Sequence, residues 1–120
     1  MDKTNKGKIG EDIAANYLKK SGYEIIRRNF RTELGEIDII AAGEGYLIFV
    51  EVKLRKNEDF GYPSEWVTDA KIKKICQTAS QYMDKFGLLD LNVRFDIIEV
   101  YFEQKEINHI KDAFESFLDF

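Results

Sequence analysis

Asp38 in the run EIDII, and Glu51 and Lys53 in the run FVEVK, are the residues whose types and spacing suit chemistry best. Asp is depleted in strands, and a buried unpaired charge costs several kcal/mol by order of magnitude. Gly43-Glu44-Gly45 between the two runs marks a tight turn. If Glu44 and Gly45 form the loop, Gly43 pairs with Tyr46, Asp38 faces Glu51, and Glu36 faces Lys53. Directly opposed residues share a sheet face with Cβ atoms roughly 4.5–5.5 Å apart, and side chains two apart on a strand also share a face. Two opposed carboxylates repel unless a cation lies between them. Mg²⁺ suits that position, since it takes one or two carboxylates and completes its shell with waters and phosphate oxygens. Lys53 would then orient or help deprotonate a water attacking phosphorus. A solvated ladder of Glu36, Lys53 and Asp38 on an exposed sheet face is the alternative that these residues alone leave open.

Glu11 is the next candidate. On a helical wheel it lies beside Ala14, Ala15 and Leu18, whereas Asp12 falls outside that apolar arc. It either joins the metal shell or is a helix-terminal acid favoured by the dipole. Cations surround the acidic pair in the sequence: Arg27, Arg28, Arg31, Lys53, Arg55, Lys56, Lys71, Lys73 and Lys74. Of these, Arg28, Arg31, Arg55, Lys71, Lys73 and Lys74 are the candidate phosphate contacts. A solvated charged face gives the same counts. Phe60, Tyr62 and Trp66 are aromatics that either stack on bases or cover a core edge. His109, the single histidine, reads as structural or superficial, and Cys76 as a small buried hydrophobe.

The elements that must position these groups follow from periodicity and punctuation. Residues 6–21 predict a helix closed by Gly22, and 23–30, 36–41 and 46–55 predict three strands. From the N-cap Thr68 a second helix is expected to run to about Phe86, with Ile72, Ile75, Cys76, Ala79, Tyr82, Met83 and Phe86 on its apolar stripe. Residues 92–102 predict a fourth strand, and 105–119 a short C-terminal helix. The expected architecture is therefore α/β, with an α-β-β-β-α-β core, a mixed sheet flanked by helices, and that terminal helix.

The 120 residues make one domain, long enough to bury roughly two-thirds of its unfolded surface without disulfide or structural metal. One cysteine excludes an internal disulfide and a cysteine zinc cluster. No apolar run approaches the ~20 residues that span a bilayer, and the polar N-terminus lacks a secretory core, so a cytoplasmic location is expected. Net charge is −4, but residues 1–34 carry eight Lys/Arg against five Asp/Glu, and 83–120 carry four against nine. An acidic site ringed by cations fits a metal that receives phosphate.

The segments GEDIAANYL, RRNFRTELGEIDII, LIFVEVKLRK, FGYPSEWVTDAKIKKI and RFDIIEV resemble the YraN family of bacterial proteins over nearly the whole chain. That family in turn resembles archaeal Holliday-junction resolvases and the PD-(D/E)xK, or restriction-endonuclease-like, superfamily. The resemblance implies that Asp38 is the motif aspartate, that Glu51 and Lys53 are the E-x-K pair, and that Glu11 is the first-helix glutamate. Ile37 stands where the proline of the PD dipeptide would be. The implied catalytic set is Asp38, Glu51, Lys53 and Glu11, with Asp38, Glu51 and Glu11 around Mg²⁺ or Mn²⁺, and Lys71 belongs to the shared pattern. The implied activity is a metal-dependent endonuclease on DNA, with branched or structured DNA such as Holliday junctions as substrate. It needs no small-molecule cofactor and no membrane, and a homodimer is expected if junctions are cut. The competing expectation is a nuclease-like fold that binds DNA or protein with little or no turnover.

Overall fold

The computed structural model describes residues 5–55 and 68–115. Helix α1 (Asn5–Lys20) leads into strands β1 (Glu24–Thr32), β2 (Gly35–Gly43) and β3 (Tyr46–Arg55). Helix α2 (Asp69–Lys85) and strands β4 (Val93–Tyr101) and β5 (Glu106–Ile110) complete the fold. The sheet order is β1-β2-β3-β4-β5, antiparallel except for the parallel pair β3–β4, which α2 connects. The α-β-β-β-α-β core read from the sequence is thus present.

Alternation along the strands sorts the core into two layers. Phe30, Leu47, Phe49, Phe95 and Ile97 pack with Ile75, Cys76, Ala79, Tyr82 and Met83 of α2. Ile39, Ala41, Ile48, Val50, Ile98 and Val100 pack with Ala14, Ala15 and Leu18 of α1. Both helices end as their residues dictate. Gly22, at φ 95°, closes α1 while Tyr23 N donates to Leu18 O at 2.9 Å and Gly22 N to Lys19 O at 3.1 Å, the paired bonds of a Schellman motif. The side chain of Thr68 accepts from Lys71 N and caps α2.

The expected C-terminal helix over 105–119 is a correction: the described part of it contains β5 instead. The residues of β4 from Arg94 to Tyr101 are all buried, so their outer backbone groups need partners that solvent does not supply. EINHI answers that need by pairing Ile97 with Ile110 through to Tyr101 with Glu106. Its alternation serves both layers, with Ile107 packing on the α1 side and Ile110 on the α2 side. Tertiary demand outweighs the local helical pattern.

Candidate active site

The turn register inferred from Gly43-Glu44-Gly45 holds from Gly43↔Tyr46 through Ile39↔Val50, where the β2–β3 ladder ends. Beyond it, Val52 N–H donates to Asp38 Oδ2 at 2.8 Å, so a side-chain carboxylate occupies the gap between the strands. A switch of faces in β1 and β2 brings Asp38 there. In β2, Ile37 lies in the α2-side core and Ile39 in the α1-side core, although residues two apart ordinarily share a face. In β1, Arg28 turns to α1 while Phe30 joins the α2-side core. The residues at these switches are Asp38 and Asn29, and Asn29 sits at φ 56°, the left-handed conformation that asparagine tolerates best after glycine.

Asp38 and Glu51, both buried, line one cleft of about 810 Å³ with Glu11, Glu36, Lys53, Lys71 and Lys74. Glu51 stands on the α2 face of β3, and its Oε2 lies 2.9 Å from Lys71 Nζ, which reaches in from the first turn of α2. Burial pushes the Glu51 carboxyl up to about 7, the charge of Asp38 adds to that, and the Lys71 ammonium opposes it without prevailing. Lys71 is itself raised, chiefly by its bond to Glu51 and further by the charges of Asp38 and Glu36. The acidic cleft therefore draws in a cation from the chain's own side chains.

Glu11 enters from the opposite layer. Gly10 beside it lies against β3, where an added Cβ would stand 2.4 Å from Leu54 Cδ2 and that side chain would have to turn aside. Glu11 Oε1 accepts from Asn29 Nδ2 at 2.8 Å and from Arg28 Nη2 at 3.1 Å, and Arg28 Nη2 also donates to Asp12 Oδ1 at 2.7 Å. Glu11 is only 2% exposed and its carboxylate is held by these donors. Among the described residues no three His, Cys, Asp or Glu side chains gather at metal-holding distance. Asp38 and Glu51 nonetheless fit Mg²⁺ or Mn²⁺: both are oxygen donors, they repel one another, and the cleft has room for the waters such an ion keeps.

The structure brings Asp38, Glu51, Lys53 and Glu11 to one cleft, with Lys71 and Lys74 on its α2 wall. Lys73 is exposed outside it. The three arginines are engaged with acids: Arg28 as above, Arg31 with Glu36, and Arg55 Nε with Glu99 Oε2 at 2.8 Å. Phe60, Tyr62, Trp66 and Lys56 lie outside the described residues.

Two polar groups escaped the sequence reading. Glu99, fully buried, is the register partner of Lys53 and accepts from Asn108 Nδ2 at 2.8 Å as well as from Arg55. The other is Asp96, also fully buried, which Arg94 grips through Nε and Nη2, both at 2.9 Å. His109 Nε2 lies 2.7 Å from Asp96 Oδ2, and Tyr17 Oη lies 2.9 Å from His109 Nδ1. Against the burial that would raise it, hydrogen bonds from His109 and Arg94 hold Asp96 below its ordinary value. His109 is thus a structural pin joining β5 to α1. The signal for Glu99 and Asp96 was present in RFDIIEV, where each acid interrupts an apolar strand as Asp38 and Glu51 do. Asn29 carried no comparable signal.

Residues 10–100 match the model of a family described as Uncharacterised protein family UPF0102. A UPF0102 protein of Clostridioides difficile is 51% identical over 114 residues, spanning 95% of this chain and 100% of the relative. A UPF0102 protein of Persephonella marina is 46% identical over 110 residues, spanning 92% and 93%. One from Caldicellulosiruptor saccharolyticus is 44% identical over 118 residues, spanning 95% and 100%. The chain is an α/β protein with a five-stranded mixed sheet, and it belongs to the UPF0102 family, the YraN family of the sequence reading. No helix among the described residues is long and apolar enough to cross a membrane.

Proposed function

We propose that this protein is a metal-dependent endonuclease that hydrolyses phosphodiester bonds in DNA, with branched or structured DNA such as Holliday junctions as its substrate. The observation that carries the reading is the pair Asp38 and Glu51, buried on adjacent strands and opening into one lysine-walled cleft. A fold gains little from two such carboxylates unless a cation joins them. The resemblance of the D…E-x-K pattern to restriction-endonuclease-like proteins adds the reaction class.

Asp38 and Glu51 would hold Mg²⁺ or Mn²⁺, which when bound supplies charge neutralisation at the phosphate under attack. Asp38 is oriented for that role by the Val52 N–H. Lys53, on the cleft wall, orients the attacking water or takes its proton. Glu11, fixed by Asn29 and Arg28, closes the α1 side of the cleft and supports the site from there. Lys71 and Lys74 meet the DNA backbone with charge and no base readout, which gives recognition by shape. Junction cleavage would require two such sites in a homodimer.

A second reading, a nuclease-like module that binds DNA or protein without turnover, is favoured by one observation: Arg28, Arg31 and Arg55 are all committed to carboxylates, which leaves a modest basic surface. Heat denaturation separates the readings. Millimolar Mg²⁺ or Mn²⁺ should raise the melting temperature of the wild type and leave Asp38→Asn unmoved. Equal melting curves with and without metal would favour the binding module.

A further inference from the structure

Lys71 Nζ lies 2.9 Å from Oε2 of Glu51, the carboxylate that the proposed function assigns to a metal. It reaches that carboxylate from an exposed position: its side chain is 49% accessible and that of Glu51 is 9%. Its backbone is fixed by the α2 cap, with Lys71 N donating to Thr68 Oγ1 at 3.2 Å, so the backbone stays while the long side chain turns. An ammonium and a divalent ion repel each other at one buried oxygen, and the ammonium on Oε2 occupies a lone pair that a metal would use. A flexible, strongly hydrated ammonium loses little on returning to water or to another anion.

Resting on the metal-dependent reading of this cleft, we propose that Lys71 is a displaceable counter-ion. In the metal-free protein it neutralises Glu51; when a divalent cation enters, it leaves Glu51 and takes a phosphate oxygen of the DNA backbone. One side chain thereby serves two anions in turn. Metal entry and backbone binding assist each other, because each is opposed by the same ion pair and each gains from its opening. Among the described residues it is Lys71, and not Lys53 or Lys74, that pairs with Glu51, so the exchange falls to Lys71.

The test has two arms, neither of which reads catalysis. In the first, Mn²⁺ alone is titrated into wild type, Lys71→Met and Lys85→Met, with free Mn²⁺ followed by electron paramagnetic resonance. Lys85 lies at the opposite end of α2 and controls for net charge. Lys71→Met should bind Mn²⁺ about three- to tenfold more tightly than wild type, the gain from removing one partly buried competing pair, while Lys85→Met stays within about twofold. In the second, a fluorescein-labelled DNA duplex is bound in EDTA. Glu51→Gln frees Lys71 and should bind the duplex more tightly than wild type, and the gain should vanish when Lys71→Met is added. Far-ultraviolet circular dichroism checks that each variant is folded.

If the wild type binds Mn²⁺ and Lys71→Met binds it equally or more weakly, the counter-ion role is overturned while the metal site stands. If the Glu51→Gln gain persists in the double variant, the handover to phosphate is overturned. Absence of Mn²⁺ binding in every variant would overturn the metal-dependent reading and this inference with it.

Discussion

Glu51→Gln should stabilise the metal-free protein, and by an amount that grows with pH. The Glu51 carboxyl, ordinarily near 4.5, is pushed to about 7 by burial and by Asp38. Between those two values the folded chain holds a proton that the unfolded chain has released. Stability therefore falls as pH rises through that window, and the full cost stands above about pH 7. At ~1.4 kcal/mol per pH unit the cost is on the order of 3 kcal/mol. Gln keeps the shape and polarity but never ionises; desolvating its amide costs about 1 kcal/mol, and Lys71 returns to water at little cost. A net gain of roughly 2 kcal/mol at pH 8 corresponds to roughly 6–10 °C in melting temperature for a domain of this size. Thermal denaturation in EDTA at pH 5 and pH 8, wild type beside Glu51→Gln, measures it. The two should coincide within about 2 °C at pH 5 and diverge at pH 8. A variant less stable than wild type at pH 8, or a difference independent of pH, would refute the claim that burial and Asp38 set the ionisation of Glu51.

Asp96→Ala removes the partner of a buried arginine and of His109, so it should cost about 3–5 kcal/mol in urea denaturation. Gly43→Ala would bring a Cβ to 2.4 Å from the Tyr23 ring, a rigid neighbour, and should destabilise the protein by about 1–3 kcal/mol without changing the affinity for metal. Thr68→Ala loses the cap of α2 and should cost about 1 kcal/mol in the same assay, with Thr68→Ser retaining most of it. Mn²⁺ affinity should rise with pH up to about 7 and then level, because the ion must displace the proton that Glu51 keeps below that pH. A calorimetric titration across pH 5.5–8 that shows flat affinity would contradict that coupling.

The residues that line the cleft are more legible in the sequence than the edges of the fold. Gly43-Glu44-Gly45 sets the β2–β3 register by turn geometry alone, and the inferred pairing holds as far as Ile39↔Val50. Gly22, which closes α1, and Thr68, which starts α2, mark helix boundaries for local reasons, and local reasons are legible in a single sequence. What was not legible depends on contacts distant along the chain. Whether 105–119 continues as helix or pairs as a strand depends on the open edge of β4, which the segment does not encode. The face switch at Asn29 and Asp38 is likewise set by packing against both helices, and it turns an opposed pair of carboxylates into one that reaches past the end of a ladder. Arg28, Arg31 and Arg55 read as free cations in the sequence because their partners Glu11, Glu36 and Glu99 are identified only once the strands are laid side by side.

The measurement that bears most directly on the proposed activity is cleavage of labelled four-way-junction, flap, single-stranded and linear duplex DNA in Mg²⁺ or Mn²⁺, with wild type and Glu51→Ala run together. The cleft built on Asp38, Glu51 and Lys53 predicts metal-dependent cutting by the wild type, strongest on a branched substrate and lost in Glu51→Ala. No cutting of any substrate by the folded wild type, or equal cutting by Glu51→Ala, would contradict it.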